Sequence, residues 1–214
     1  MRSSKPIPGN LWPHDMVITV EDRPSLLLEL LWIREAYELK PRGKSLPPLL
    51  SDTPMVIRDA VVSSNTRAEW EYWWPEIWQT AIAHTGMDGN AGKLDEGLRT
   101  AAGPKEHADH FRRVIGPGWR DKFGDDAFDN DSFRTWSQRR WDAQLATLPA
   151  RVEESAEWRD LPNLINAWRA GLRKIIIIPC SGAFTHKLGE SVLLMDFATR
   201  DNSDSYRQVL STFG

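Results

Sequence analysis

Two histidines in Glu106-His107-x-x-His110 are the first residues whose spacing invites chemistry. At i and i+3 they share one helical face, a geometry able to hold a divalent metal. The pattern is not His-Glu-x-x-His, whose i, i+4 spacing and intervening glutamate carry zinc-protease chemistry. A third ligand would have to come from His14, His84, His186 or a carboxylate far along the chain. The surrounding run K-E-H-A-D-H-F-R-R reads as an ordinary charged helix face, so no metal site is assigned.

The acidic group Asp125, Asp126, Asp129 and Asp131 invites calcium. It fails the helix–loop–helix calcium pattern. After Asp129 and Asp131 the next ligand position is Phe133, the turn glycine is missing, and the twelfth position is Arg140. Capping and dipole compensation for the helix that follows account for part of the group. Cys180, in P-C-S-G, ends an apolar run where nucleophiles of several hydrolase folds sit, and His186 follows six residues later. There is no G-x-S-x-G and no second cysteine, so Cys180 and Ser181 read as structural, the cysteine as a small buried hydrophobe. G-M-D-G-N-A-G-K (86–93) shares only glycines and a lysine with a phosphate loop, and it follows a helix rather than a strand. No catalytic residue and no cofactor are assigned.

The aromatic content is the outstanding feature. There are 11 Trp against 3 Tyr and 7 Phe. Trp70, Trp73, Trp74, Ile77, Trp78 and Ala81 follow helical spacing and fall on one face of a helix over Thr66–Thr85. That face either packs on the core, lines a groove for sugar rings, nucleobases or a cation, or forms a subunit interface. Trp70, Trp73, Trp74 and Trp78 are the candidate interface or ligand residues. The number of indoles favours an interface over a groove, because each buries roughly 150–250 Å².

The elements that position these residues follow from local pattern. Residues 1–14, with three prolines and a glycine, form an extended arm; 15–214 form a single globular domain. Met16–Val20 is a short strand. Asp22 and Pro24 start a buried, leucine-rich helix over Ser25–Leu39 whose later face (Arg34, Glu35, Glu38) reaches water. Residues 40–53 are a loop whose L-P-P-L-L is a connector in preference to a polyproline ligand. Thr53–Val62 reads equally as a short helix or a strand. Thr66 and Glu69 spell a capping box, Gly86 ends that helix, and Pro75 kinks it. Residues 86–131 are a Gly/Asp-rich irregular region with a short helix around Lys105–Ile115.

Phe133–Leu148 resumes a helix, capped by Asp131 or Ser132, with Phe133, Trp136, Trp141, Leu145 and Leu148 inward. Asp160–Leu172 follows with a clean apolar stripe. Residues 174–214 form a strand–loop–strand–helix layer: Lys174–Cys180 and Ser191–Thr199 as antiparallel strands, and a helix over Ser203–Phe213 with Tyr206, Val209, Leu210 and Phe213 inward. The fold class is α+β, predominantly helical. Its small antiparallel sheet has about three strands, built mainly from the C-terminal segment and joined by Met16–Val20.

Composition bounds the function. Across 214 residues, 27 Lys+Arg against 30 Asp+Glu give a net charge of -3, which offers no basic field for nucleic acid or an anionic membrane. No run approaches the roughly 20 apolar residues of a membrane span. One cysteine fits a reducing compartment, and the proline-broken N-terminus lacks a signal core, so the expected location is cytoplasmic. The resulting expectation is a non-enzymatic binding or interaction protein with a Trp-rich helix face. Its partner is itself, as a homo-oligomer, or another protein. The alternatives are an enzyme without a recognisable local motif, and a small-ligand or carbohydrate binder using the aromatic face.

Overall fold

In the computed structural model, residues 9–58, 62–86 and 116–213 are described. Among them the regular elements run β1 (Thr19–Glu21), α1 (Ser25–Ala36), α2 (Ser64–Thr85), α3 (Trp119–Phe123) and α4 (Asp131–Ala146). There follow α5 (Ala156–Arg159), α6 (Leu161–Arg169), β2 (Lys174–Ile178), β3 (Thr185–Leu188), β4 (Val192–Asp196), α7 (Phe197–Asp201) and α8 (Ser203–Leu210). The chain divides into two compact units, Met1–Arg23 with Asp142–Gly214, and Pro24–Trp141. The helix expected around Lys105–Ile115, with His107 and His110, lies outside the described residues.

The first unit holds the sheet, in the order β1-β2-β4-β3. β1 pairs with β2, and β2 with β4, in parallel; only β3 runs antiparallel, along β4. The α+β class stands, and the N-terminal strand joins the C-terminal ones, but the sheet is mixed and has four strands rather than three antiparallel ones. The reason is the stretch read as a loop. Thr185–Leu188 leaves β2, lies at the sheet edge as β3, and returns through Gly189 (φ 59), a left-handed turn position that suits glycine. A strand inserted between β2 and β4 in sequence restores β4 to the direction of β2. β2 and β4 are buried along nearly their whole length, as interior parallel strands with continuous apolar runs should be.

On one face of this sheet Ile175, Ile177, Leu193 and Met195 join Leu164, Leu172, Tyr206 and Leu210 in a single apolar core. α6 and α8 supply its helical side, with the stripes their spacing foretells. Trp12 stacks on Trp158 (centroids 6.1 Å apart) and donates its indole N–H to the Met16 carbonyl, which fixes the chain ahead of β1.

The second unit is built on α1 and α2. α1 starts after Pro24 and is buried on nearly every side. Arg34, read as reaching water, is instead buried. α2 begins three residues before the expected capping box: the Ser63 hydroxyl accepts from the Thr66 N–H, and Gly86 ends the helix as expected. Residues 53–58 form neither helix nor strand; the Ile57 N–H is bonded to the Ala36 carbonyl that ends α1. Gly116 takes a positive φ of 96, and a Cβ there would lie 2.1 Å from the His84 ring, so the turn and α2 are closely seated. α4 is capped by Asn130, whose side-chain oxygen accepts from the Ser132 and Phe133 N–H groups.

Candidate functional site

The four tryptophans of α2 divide three to one. Trp70, Trp74 and Trp78 are buried and serve as core of the second unit; Trp73 is half-buried on the outer side. Trp74 and Trp78, one turn apart, stack at 5.4 Å and 7°. The Trp74 indole donates to the Leu30 carbonyl of α1 at 2.9 Å. Trp70 meets Tyr37 and Trp119 edge-on, at 5.1 and 5.0 Å, the geometry that aromatic quadrupoles favour. Trp32, Phe128 and Phe133 extend the same aromatic core. These three indoles of the candidate set are therefore covered within one chain, because α1 and α3 supply the area that counting tryptophans left unaccounted for. Trp73 remains outside with Tyr72, which is exposed. The Lys122 ammonium sits 3.2 Å from the Trp73 ring centroid, so a cation already covers that face.

Arg34 explains the proline pair in the following loop. Its guanidinium donates to the Pro47 and Pro48 carbonyls, at 2.6 Å each, and to Glu35 Oε1 at 3.1 Å. The same Glu35 oxygen accepts from the Leu50 N–H. L-P-P-L-L is thus held against its own α1, and the connector reading describes it.

The remaining chemical candidates are dispersed over structural tasks. Asp125 pairs with Arg120, which also bonds Glu29. Asp131 pairs with Arg134 one turn on, and Asp121 accepts from the Gly118 N–H at the start of α3. Burial pushes the Glu29 carboxyl above its usual range, against the pull of Arg120. Cys180 is buried just past β2, and the His186 ring on β3 packs on Phe184 at 4.8 Å. Among the described residues, no three His, Cys, Asp or Glu side chains gather in a way that could hold a metal ion. No helix among them is long and apolar enough to cross a membrane.

Buried charge concentrates in the first unit. Glu157 receives two hydrogen bonds from Arg200, at 2.8 and 2.7 Å, with the Tyr206 hydroxyl beside it. Burial, and then the Glu157 charge, push that hydroxyl up, so it stays protonated. Asp160 is buried and accepts from Ser203, Arg207 and Arg159. Desolvation alone would raise its carboxyl, but these hydrogen bonds together outweigh it and hold Asp160 below its ordinary value. A depressed folded-state pKa contributes stability that is complete above the unfolded value of about 3.9 and is lost as pH falls through the folded one. Asp160→Asn should therefore be less stable than wild type at pH 7, with the difference shrinking toward about pH 2. Urea midpoints at the two pH values check this; a gap as wide in acid as at neutrality would refute it.

One surface departs from the sequence pattern. In α4 only Trp136 is buried. Its first half is held to the preceding loop: the Trp136 indole donates to the Asp52 carbonyl, Arg139 pairs with Asp52, and the Ser132 hydroxyl bonds the Met55 carbonyl. Trp141, Leu145 and Leu148, read as inward, are 36%, 45% and 57% exposed, and Val152 just beyond is 69% exposed. Periodicity marks an apolar face, but Leu145, Leu148 and Val152 stand exposed among the described residues. The signal available was the charged texture around it, with Arg139, Arg140 and Asp142 beside the apolar positions.

Comparison with known proteins leaves the chain without relatives to reason from: no family model matches it, no curated protein resembles it significantly, and no solved structure does.

Proposed function

We propose that the chain is a non-enzymatic cytoplasmic interaction protein, and that its binding surface includes the exposed apolar stripe of Leu145, Leu148 and Val152 in the first unit. That stripe is the observation that supports the reading. Single exposed leucines are ordinary, but these three apolar residues fall within eight positions at the end of α4 and just beyond it. Contiguous exposed apolar surface of this kind marks protein contacts. The buried tryptophans of α2 then act as core of the second unit rather than as contact surface. A protein partner suits the near-neutral charge balance better than nucleic acid or a lipid surface.

A photo-crosslinking residue placed at Leu145 in the full chain, expressed in cells, tests the reading. Irradiation should give a discrete adduct that the same residue at exposed Asp204 does not. No adduct at Leu145, or the same smear at both positions, would overturn it.

A further inference from the structure

We infer that the loop after α1 carries a second contact surface, made of the exposed cations Lys40, Arg42 and Lys44 with Tyr72 of α2, and that it takes an acidic segment of a protein partner. The surface lies wholly in the second unit and does not rest on the reading of Leu145, Leu148 and Val152.

The three cations fall within one short run, K-P-R-G-K, and all are exposed. Among the described residues, no ion pair or side-chain hydrogen bond joins any of them to another group. Elsewhere Arg120, Arg139, Arg200 and Arg207 each meet a carboxylate. In a chain of net charge -3 this loop is a concentrated positive patch without a paired carboxylate. Like charges held close repel one another, and an oppositely charged partner relieves that repulsion while being steered onto the patch.

The backbone that carries the cations is anchored. The Lys40 N–H donates to Glu71 Oε1 at 2.9 Å, and Gly43 lies against α2, where an added Cβ would stand 3.5 Å from Pro75 Cβ. Downstream, Arg34 holds the Pro47 and Pro48 carbonyls. A loop fixed at both ends needs less ordering when a partner binds. Glu71 and Pro75 mark the line along α2 that the loop follows, and Tyr72, three residues before Pro75, flanks it. Tyr72 is 75% exposed and meets Trp73 edge-on at 5.3 Å, an aromatic of the kind that anchors protein contacts.

The size of the patch sets the partner's chemistry. From Lys40 to Lys44 the chain spans at most about 14 Å, room for a few carboxylates of a peptide. A lipid surface is read by clusters of about four to eight basic residues, and duplex nucleic acid, with a charge about every 1.7 Å, by a longer basic field. Glu38, exposed two residues before Lys40, closes the positive stretch on that side. Exposed ion pairs are individually weak, so binding should be salt-dependent, with Kd on the order of 100 µM.

Fluorescence anisotropy of a labelled peptide of glutamates flanking one leucine, titrated with the purified full chain at low salt, tests this. The signal should saturate, and added salt should weaken binding severalfold. Arg42→Glu/Lys44→Glu should weaken it at least about tenfold. Arg42→Gln/Lys44→Gln, which removes the charges without reversing them, should lose less, and Arg42→Lys/Lys44→Arg should bind as wild type. Tyr72→Ala should weaken binding severalfold. Arg151→Glu/Arg169→Glu makes the same change in net charge at exposed cations of the first unit and should leave binding unchanged. Circular dichroism confirms that each variant folds. No binding of the peptide overturns the inference, as does an equal loss in the two charge-reversed variants. An oligonucleotide, or vesicles of phosphatidylcholine and phosphatidylserine, bound through these cations in place of the peptide would overturn it too. None of these outcomes bears on the crosslink at Leu145.

Discussion

Arg34→Ala should destabilise the protein by about 3–5 kcal/mol, the range found when one member of a buried, hydrogen-bonded charge pair is removed. Arg34 is buried on α1, beside a Glu35 side chain only 8% exposed. Its guanidinium is the donor to the carbonyls of Pro47 and Pro48, and prolines have no N–H with which to join a regular ladder instead. Truncation leaves those two acceptors short of a partner and Glu35 with the Leu50 N–H but without its cation. The ring of Trp74, 5.4 Å from the guanidinium, loses its cover as well. Arg34→Lys should recover only part of the loss, because an ammonium cannot reproduce a planar fork reaching two carbonyls and a carboxylate at once. Urea unfolding followed by tryptophan fluorescence gives the answer directly. A midpoint unmoved in Arg34→Ala would mean that the 40–58 loop is not held by this side chain.

Arg34 also shows where sequence reading stops. Its position in the helix was legible, since Pro24 and the leucine run define α1 to within a few residues. Its burial was not, because burial depends on prolines more than ten residues away folding back onto it. The same holds for Glu157 and Arg200, 43 residues apart in the chain, whose pairing local pattern does not signal. The apolar runs at Ile175–Ile178 and Val192–Met195 announced strands, but not their relative direction. Direction was decided by Thr185–Leu188, a mixed polar stretch whose strand character comes from pairing with β4 rather than from its own composition. The 3.6-residue period put Trp141, Leu145 and Leu148 on the inward face of a helix running to Leu148, whereas α4 ends at Ala146 and all three are exposed. Periodicity reports that a face is apolar, and says nothing of whether the chain has anything to lay against it. The candidate site was therefore visible as a stripe and misread as core, while the Trp face was visible as a stripe and is mostly core.

That contrast makes the tryptophans of α2 the second large test. Trp74→Ala should cost about 3–5 kcal/mol, the range for removing a large aromatic from a packed core. The side chain is fully buried, stacked on Trp78 and bonded through its indole to the Leu30 carbonyl. Trp74→Phe keeps part of the stacking surface and forfeits the indole hydrogen bond and some volume, so it should fall between wild type and alanine. Trp73→Ala, one position away, removes a half-buried ring whose face is covered by a surface lysine, and should cost about 1 kcal/mol or less. Neither change at Trp73 nor Trp74→Phe should alter crosslinking from Leu145 while the chain stays folded, because the proposed contact lies at Leu145, Leu148 and Val152. Unfolding midpoints and crosslinking from Leu145 in the same variants separate the two properties. If Trp74→Ala were as stable as wild type but lost the Leu145 adduct, the α2 face would be the contact surface and the assignment to Leu145 and Leu148 would be wrong. If it unfolds early while Leu148→Glu stays folded and loses the Leu145 adduct, core and contact are divided between the α2 tryptophans and the exposed leucines as their burial indicates.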